Sequence, residues 1–266
     1  MLAAQRQQLI VDETRRKGGV RLSELTRLLS VSEMTIRRDI DALAAAGLVV
    51  KVHGGATLRD GPSTEEPGFE AKSHRQLAEK EAVARAASEL VHPGQAIGLS
   101  AGTTTWRLAH HLGGISDLTV VTNSIQVADV LHRAGRSDLT VVLTGGVRTP
   151  SDALVGPVAV SAIRSLHLDL LFLGVHGVTA DGGLTTPNLL EAETDRALVA
   201  ASARRVVVAD HTKWGVRGLS RIAGLDEVHV FVSDSGLDRV ARAAIGEHAE
   251  QLVIAPLRRR TANGGA

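Results

Sequence analysis

Two adjacent arginines, Arg37 and Arg38, lie in a segment where Ile36, Ile40 and Leu43 recur at helical spacing. On that wheel the face opposite the apolar stripe carries Met34, Arg38 and Asp41, with Thr35 and Arg37 on its flanks. Guanidinium donors reach base edges and phosphates, so a helix anchored on one side and presenting them on the other suits duplex DNA. The competing reading is a solvated pair of charges balanced by Asp41, which would carry little energy. Upstream, Leu22, Leu25, Leu28 and Leu29 share a second helical face, and Ser30-Val31-Ser32 leaves room only for a tight turn, with Ser32 placed to cap the next helix. The helical run ends at Gly47. Leu48 to Val52 and His53-Gly54-Gly55-Ala56-Thr57 then predict two short strands joined by a turn with Gly54 at its tip. Such a hairpin would carry Lys51 and His53 to an adjacent groove or a phosphate. A helix-turn-helix followed by a wing is therefore expected over residues 1–57.

A second set of polar residues falls at the ends of predicted strands. Leu99-Ser100-Ala101-Gly102-Thr103-Thr104-Thr105 closes a strand and opens a helix, offering a glycine for close approach, hydroxyls and helix-terminal N–H groups to a phosphate. The same residues could be a helix cap made of threonines. Thr122-Asn123-Ser124 ends the next strand and Thr144-Gly145-Gly146 the one after, so three polar loops could converge at one sheet edge. Taken alone, Gly145 and Gly146 suggest a turn at positive φ. Asp210 and Lys213 leave a later strand three residues apart: the lysine could neutralise a sugar phosphate and the carboxylate accept from its hydroxyls, or the two could form a surface ion pair.

Other chemistries fit less well. Gly98-Leu99-Ser100-Ala101-Gly102 matches the Gly-x-Ser-x-Gly turn of serine hydrolases, but Ser100 follows the first strand of its domain, with no earlier strand to supply an oxyanion donor. There is no His-Glu-x-x-His, His110 and His111 diverge as neighbours on a helix, and Gly-Lys never occurs, so neither a zinc-protease helix nor a Walker-type phosphate loop is expected. No catalytic residue, metal or cofactor is assigned.

The elements that must position these groups follow from the pattern. Strands are expected near Ala96 to Leu99, Thr119 to Thr122, Thr140 to Leu143, Leu168 to Gly174, Arg205 to Ala209, Val228 to Ser233 and Leu252 to Ala255. Helices are expected at Glu79 to Val91, Ser124 to Arg133, Val158 to Ser165, Glu191 to Ala203 and Leu237 to His248. This alternation predicts an α/β domain with a mostly parallel sheet covered on both faces and ligands at the carboxyl ends of its strands. The Gly-, Pro- and charge-rich stretch at 58–72 is expected to be a linker, 73–257 the larger domain and 258–266 a disordered tail. With 266 residues and 22% charged side chains the chain is long enough for two domains and too apolar to be disordered throughout. The absence of cysteine removes disulfides, thiolate metal sites and cysteine nucleophiles. Thirty basic against twenty-nine acidic residues means that a polyanion must be met by a local patch, and 2% aromatic residues argues against stacking on single strands. With no apolar run long enough to span a bilayer and no signal-like start, a cytoplasmic protein is expected.

Val31-Ser32-Glu33-Met34-Thr35-Ile36-Arg37-Arg38-Asp39-Ile40 and the later His53-Gly54-Gly55-Ala56 resemble the N-terminal signature of the DeoR family of bacterial transcription regulators. Ala101-Gly102-Thr103-Thr104-Thr105, Val121-Thr122-Asn123-Ser124, Thr144-Gly145-Gly146 and Asp210-x-x-Lys213-x-Gly215 resemble the sensor domain of the same family, so the likeness spans nearly the whole chain. The resemblance implies a winged helix-turn-helix, a sensor domain similar in fold to ribose-5-phosphate isomerase, and repression of a sugar or carbon operon under control of a phosphorylated sugar or related metabolite. Two positions depart from the family pattern: Ser100 stands where an acid is common, and His176 where small residues are common. The isomerase places paired aspartates where this chain has Leu173-Gly174-Val175-His176-Gly177, and Asp181 nearby stands alone, so an isomerase-like enzyme is the second reading rather than the first. DNA contacts are thus expected from Ser32, Met34, Thr35, Arg37, Arg38, Lys51, His53 and Gly54. Effector contacts are expected from Ser100, Gly102, Thr103, Thr104, Asn123, Ser124, Gly145, Gly146, His176, Asp210 and Lys213. Double-stranded operator DNA, the metabolite and further copies of the chain, as a dimer or tetramer, are the expected partners, because one reading head buries too little to select an operator.

Overall fold

A computed structural model describes residues 2–17, 19–45, 49–52, 54–57 and 68–257. The chain divides into two compact units, Met1–Pro62 and Ser63–Ala266. His53 and the tail 258–266 lie outside the described residues, as does most of the expected linker.

The first unit contains α1 (Ala3–Lys17), β1 (Gly19–Arg21), α2 (Leu22–Leu29), α3 (Glu33–Ala45), β2 (Val50–Val52) and β3 (Gly55–Thr57). Ile10 and Val11 of α1, Leu22, Leu25 and Leu29 of α2, and Ile36, Ile40 and Leu43 of α3 bury one face each into a single small core. Leu28, expected on the same face as Leu25, is instead 55% exposed. A helix turns 100° per residue, so four leucines in eight positions overfill the stripe that two neighbours can cover. Ser30 ends α2 in the left-handed region at φ 52°, and Ser32 starts α3 as read: its Oγ accepts from Thr35 N at 3.3 Å. Sequence reasoning missed the tie between α1 and α3. Asp39, 4% exposed, accepts from Arg6 Nε at 2.5 Å and from Gln7 Nε2 at 3.1 Å, so its carboxylate ties α3 to α1. The wing has three strands rather than two, in the order β1-β3-β2, all antiparallel.

The second unit contains α4 (Phe69–Ser73), α5 (Leu77–Ser88), β4 (Ala96–Leu99), α6 (Thr103–His111), β5 (Leu118–Thr122), α7 (Ile125–Arg133), β6 (Leu139–Leu143), β7 (Val147–Arg148), β8 (Leu154–Val155), α8 (Pro157–Arg164) and β9 (Leu168–Leu173). It continues with β10 (Gly177–Thr179), β11 (Gly183–Thr186), α9 (Leu189–Ala200), β12 (Ser202–Val208), β13 (Ser220–Ala223), β14 (Val230–Asp234), α10 (Arg239–Gly246) and β15 (Gln251–Ala255). Seven strands form one all-parallel sheet, ordered β15-β14-β12-β9-β4-β5-β6. Alternate residues feed two cores. Leu171, Leu173, Val207 and Phe231 pack under α8, α9 and α10, while Leu170, Phe172, Val206 and Val232 pack under α5, α6 and α7. Burial on both faces explains the near-continuous apolar runs in the sequence.

Strand β4 comes first in the sheet but sits inside it, and the chain leaves it toward β5 and β6 before returning to β9 on its other flank. The loops after β4 and β9 therefore diverge and open a crevice at the carboxyl edge. Two small antiparallel sheets, β10-β11-β13 and β7-β8, were not expected. Their strands are two to four residues long, too short to show an alternation, and β10, β11 and β13 contain Gly, Ser and Thr as loops do. The expected linker is also corrected at its end. Phe69 to Ser73 are helical, because Phe69 packs edge-on against Trp106 at 5.8 Å and its N–H meets the Pro150 carbonyl at 3.2 Å.

Gly55 is the tightest point of the wing: a Cβ there would stand 2.0 Å from the Val20 carbonyl oxygen, inside the β1–β3 pairing. Gly55→Ala is expected to destabilise the first unit by roughly 1–3 kcal/mol, seen by calorimetry of the full chain as an earlier first transition with the sensor transition unmoved.

Candidate functional site

In the first unit α3 turns Met34, Arg37 and Arg38 outward, Met34 being 63% exposed. Thr35 is half-buried, its hydroxyl 2.9 Å from that of Ser32, so these two residues fix the start of the helix. Arg37 lies 3.6 Å from Glu33 one turn back, and Asp41 pairs with Lys51 of β2 at 2.6 Å instead of with either arginine. The latter pair joins helix to wing. Arg38 has no ion pair among the described residues. Arg37, Lys51, Gly54 and Gly55 line a cleft between α3 and the wing, with Gly54 at φ 82° in the turn. Exposed cations around a concave strip on a helix and its wing fit a phosphate backbone beside a groove.

In the second unit a cleft opens at the carboxyl ends of β4, β9 and β12, where the strand order reverses. Of the residues expected at a site, Gly102, Thr103, Thr104, His176 and Lys213 line it. The α6 N-terminus enters it with no side-chain cap, whereas α7, α9 and α10 are capped by Ser124, Asn188 and Asp238. First-turn N–H groups with no side-chain acceptor, backed by the helix dipole, are an anion receptor. Lys72 also lines the cleft, and beneath it Lys80 of α5, 4% exposed, donates to the Lys72 carbonyl at 2.6 Å. Burial takes the Lys80 ammonium down to about 8, Asp210 opposing the fall and Lys213, Arg107 and Lys72 adding to it.

The other expected residues build the frame. Ser100 is fully buried and its hydroxyl accepts from Gly174 N at 2.9 Å, joining the two loops that flank the crevice. Asn123 accepts from Ala101 N at 2.8 Å and donates to the Leu154 carbonyl at 3.2 Å. Ser124 caps α7. Gly145 and Gly146 make the positive-φ turn, and a Cβ on Gly146 would meet the Val155 carbonyl at 2.5 Å. Asp210 accepts from Thr212 N at 3.1 Å, and its other oxygen is buried with no hydrogen-bond partner among the described residues. Asp181, the isolated acid, pairs with exposed Arg217 at 2.5 Å.

Sequence reasoning missed two acids of the cleft wall. Glu191 and Asp195 stand one turn apart on α9. Thr149 donates to Glu191 at 2.7 Å, Ser151 donates to the same oxygen, and Thr186 donates to the other at 3.3 Å. Their i, i+4 spacing signals only a shared face, and nothing in the local pattern shows that this face is turned inward.

Among the described residues, no helix is long and apolar enough to cross a membrane, and no group of three or more His, Asp or Glu could hold a metal ion. A helix and wing that present cations, joined in one chain to a parallel-sheet unit with an anion-receptive cleft, define a ligand-sensing DNA-binding regulator. Residues 6–61 match the DeoR-like helix-turn-helix domain, and residues 75–235 match the DeoR C-terminal sensor domain. The chain is 36% identical to the uncharacterized HTH-type transcriptional regulator YgbI of Escherichia coli (strain K12), over 96% of this chain and 99% of that one. It is 31% identical to the glycerol-3-phosphate regulon repressor of the same strain, over 96% of this chain and 100% of that one. The chain belongs to the DeoR family of HTH-type transcriptional regulators. Its superposition on ribose 5-phosphate isomerase A from Neisseria gonorrhoeae has 21% identity and a TM-score of 0.38 over 52% of this chain and 53% of that one, too slight a likeness to bear on function.

Beside the cleft, His211 Nδ1 lies 2.9 Å from Asp234 Oδ2, and the backbone N–H groups of His211 and Gly236 also donate to that carboxylate. The Asp234 hydrogen bond raises the imidazole above its ordinary 6.5. A raised histidine stabilises fully below its unfolded value and loses that contribution as pH climbs through the folded one. The stability lost in His211→Gln should therefore be larger at pH 6 than at pH 9, as read by thermal unfolding.

Proposed function

We propose that this chain is a repressor of a sugar or carbon metabolism operon, acting in the cytoplasm as a homo-oligomer, whose grip on operator DNA shifts when a phosphorylated sugar or related metabolite occupies the sensor cleft. The observation that carries the effector class is the convergence of the α6 N-terminus, with no side-chain cap, with Lys72, Lys213 and the buried Lys80. A phosphate placed there meets backbone donors and lysine ammonium groups together. The similarity to the glycerol-3-phosphate regulon repressor points to the same class of ligand.

On the DNA side, residues 1–57 form the reading head. Arg38 and Met34 face the groove, Arg37, Lys51 and Gly54 the backbone, and Ser32 and Thr35 hold the helix end. The larger unit, 73–257, senses and assembles; two heads on paired half-sites supply the affinity that one lacks. Catalysis has no part in this reading. Ser100, the one candidate nucleophile, is buried under Gly174, and the loop after β9 offers His176 where an isomerase would keep its acids.

Arg38→Ala should weaken binding to a duplex enriched by in vitro selection by about 1–3 kcal/mol, measured by fluorescence anisotropy. Unchanged affinity would remove Arg38 from the interface. In a thermal-shift screen of the full chain, a sugar phosphate should protect the sensor transition where the free sugar does not, and Lys213→Ala should abolish the protection. Equal protection by the unphosphorylated sugar would defeat the phosphate assignment.

A further inference from the structure

The cleft is lined by Lys72 and Lys213 and, from α9, by the acids Glu191 and Asp195. Asp195 is 9% exposed, lines the cleft and has no hydrogen-bond partner among the described residues. Its neighbours are otherwise engaged. Glu191 is gripped by three hydroxyls, Thr194 donates to the Leu190 carbonyl at 2.9 Å, and Arg196 donates to the Arg221 carbonyl at 2.6 Å instead of pairing with Asp195. A carboxyl placed for structure is normally bonded, because an unsatisfied buried polar group is costly. One that is buried, unpartnered and turned to a cleft is complementary to something that enters it.

We propose that Asp195 reads hydroxyl groups on the sugar end of the effector, with Glu191 beside it, so that the sensor selects a polyhydroxylated monophosphate over inorganic phosphate. This rests on the phosphate reading given above. Burial first, and the nearby Glu191 second, push the Asp195 carboxyl well above the usual range. A carboxyl there accepts from sugar hydroxyls in either protonation state and in its acid form also donates, the pair that a sugar diol satisfies from either hydroxyl. The same wall disfavours a second phosphate, whose charge would face the Glu191 carboxylate.

The test is titration calorimetry of the full chain with ribose 5-phosphate, fructose 6-phosphate, glycerol 3-phosphate, fructose 1,6-bisphosphate and inorganic phosphate, on wild type and on Asp195→Asn, Asp195→Leu and Lys213→Ala. The best monophosphate is expected to bind about tenfold or more tighter than inorganic phosphate, the factor that one well-made hydrogen bond to a buried group supplies. Asp195→Leu should bring that ratio close to one while leaving inorganic phosphate binding intact. Asp195→Asn, which keeps a donor and an acceptor, should retain the ratio. Asp195→Ala repeats the measurement should leucine fail to fold. A ratio that survives leucine or alanine, or a bisphosphate that outbinds the monophosphates, overturns the proposal. If a monophosphate binds and needs Lys213 but is indifferent to Asp195, only this inference falls; if none of the five binds, the phosphate reading falls with it.

Discussion

The side-chain amide of Asn123 holds the turn after β4 by accepting from Ala101 N, and holds β8 by donating to the Leu154 carbonyl. Ser100 links that turn to the loop after β9 through Gly174 N. These bonds fix the turn from which the α6 N-terminus enters the crevice without a side-chain cap. A polar site that must stay open for a ligand needs neighbours that are already satisfied, since any loose acceptor nearby would fold onto the free N–H groups. The hydroxyls and amides at the ends of β4 and β5 do that work. Thr122 donates to the Leu99 carbonyl at 2.7 Å, and Ser124 is fixed as the cap of α7.

The cleft also holds charge of both signs. Lys72 and Lys213 line it, with the buried Lys80 against the Lys72 carbonyl, and Glu191 and Asp195 line it from α9. Both groups carry a cost of burial: the Lys80 ammonium sits among other cations, and burial beside Glu191 pushes the Asp195 carboxyl toward its neutral form. Strain of this kind is retained at binding sites because occupancy relieves it, and the relief is available as coupling energy. A cleft relaxed when empty would bind phosphate with less consequence for the rest of the chain.

The seven central strands and the two helices of the reading head were legible because their signals are strong: apolar runs for strands buried on both faces, and a stripe at i, i+4, i+7 for α3. Arg37 and Arg38 could be placed outward for the same reason. The miniature sheets escaped notice because Gly177–Thr179, Gly183–Thr186 and Ser220–Ala223 are too short and too small in side chain to show an alternation. Site residues split by a different rule. Those in loops at strand ends could be found, though half of them turn out to brace the cleft rather than line it. Those on helices, Glu191, Asp195 and the core anchor Asp39, look like ordinary surface charge until tertiary packing shows which face is covered. Phe69 illustrates the converse, a single aromatic in a polar stretch that is enough to pin a short helix against Trp106.

A net charge of +1 gives little long-range attraction to duplex, so in the proposed interface the affinity would rest on the few cations of the head. Two of them are matched: Arg37 by Glu33 and Lys51 by Asp41, in pairs more than half exposed. Such pairs are worth about 0–1 kcal/mol, so a phosphate displaces them readily, yet the released carboxylates then stand beside that phosphate and repel it. Arg38, with no ion pair among the described residues, would carry no such penalty in the proposed interface. Each phosphate neutralised would add about 0.9 to the logarithmic slope of affinity against salt. A head of modest intrinsic grip is one that the sensor can govern: a coupling of about 1–3 kcal/mol, negligible against a very tight complex, decides occupancy when operator and competing duplex are separated by only a few kcal/mol.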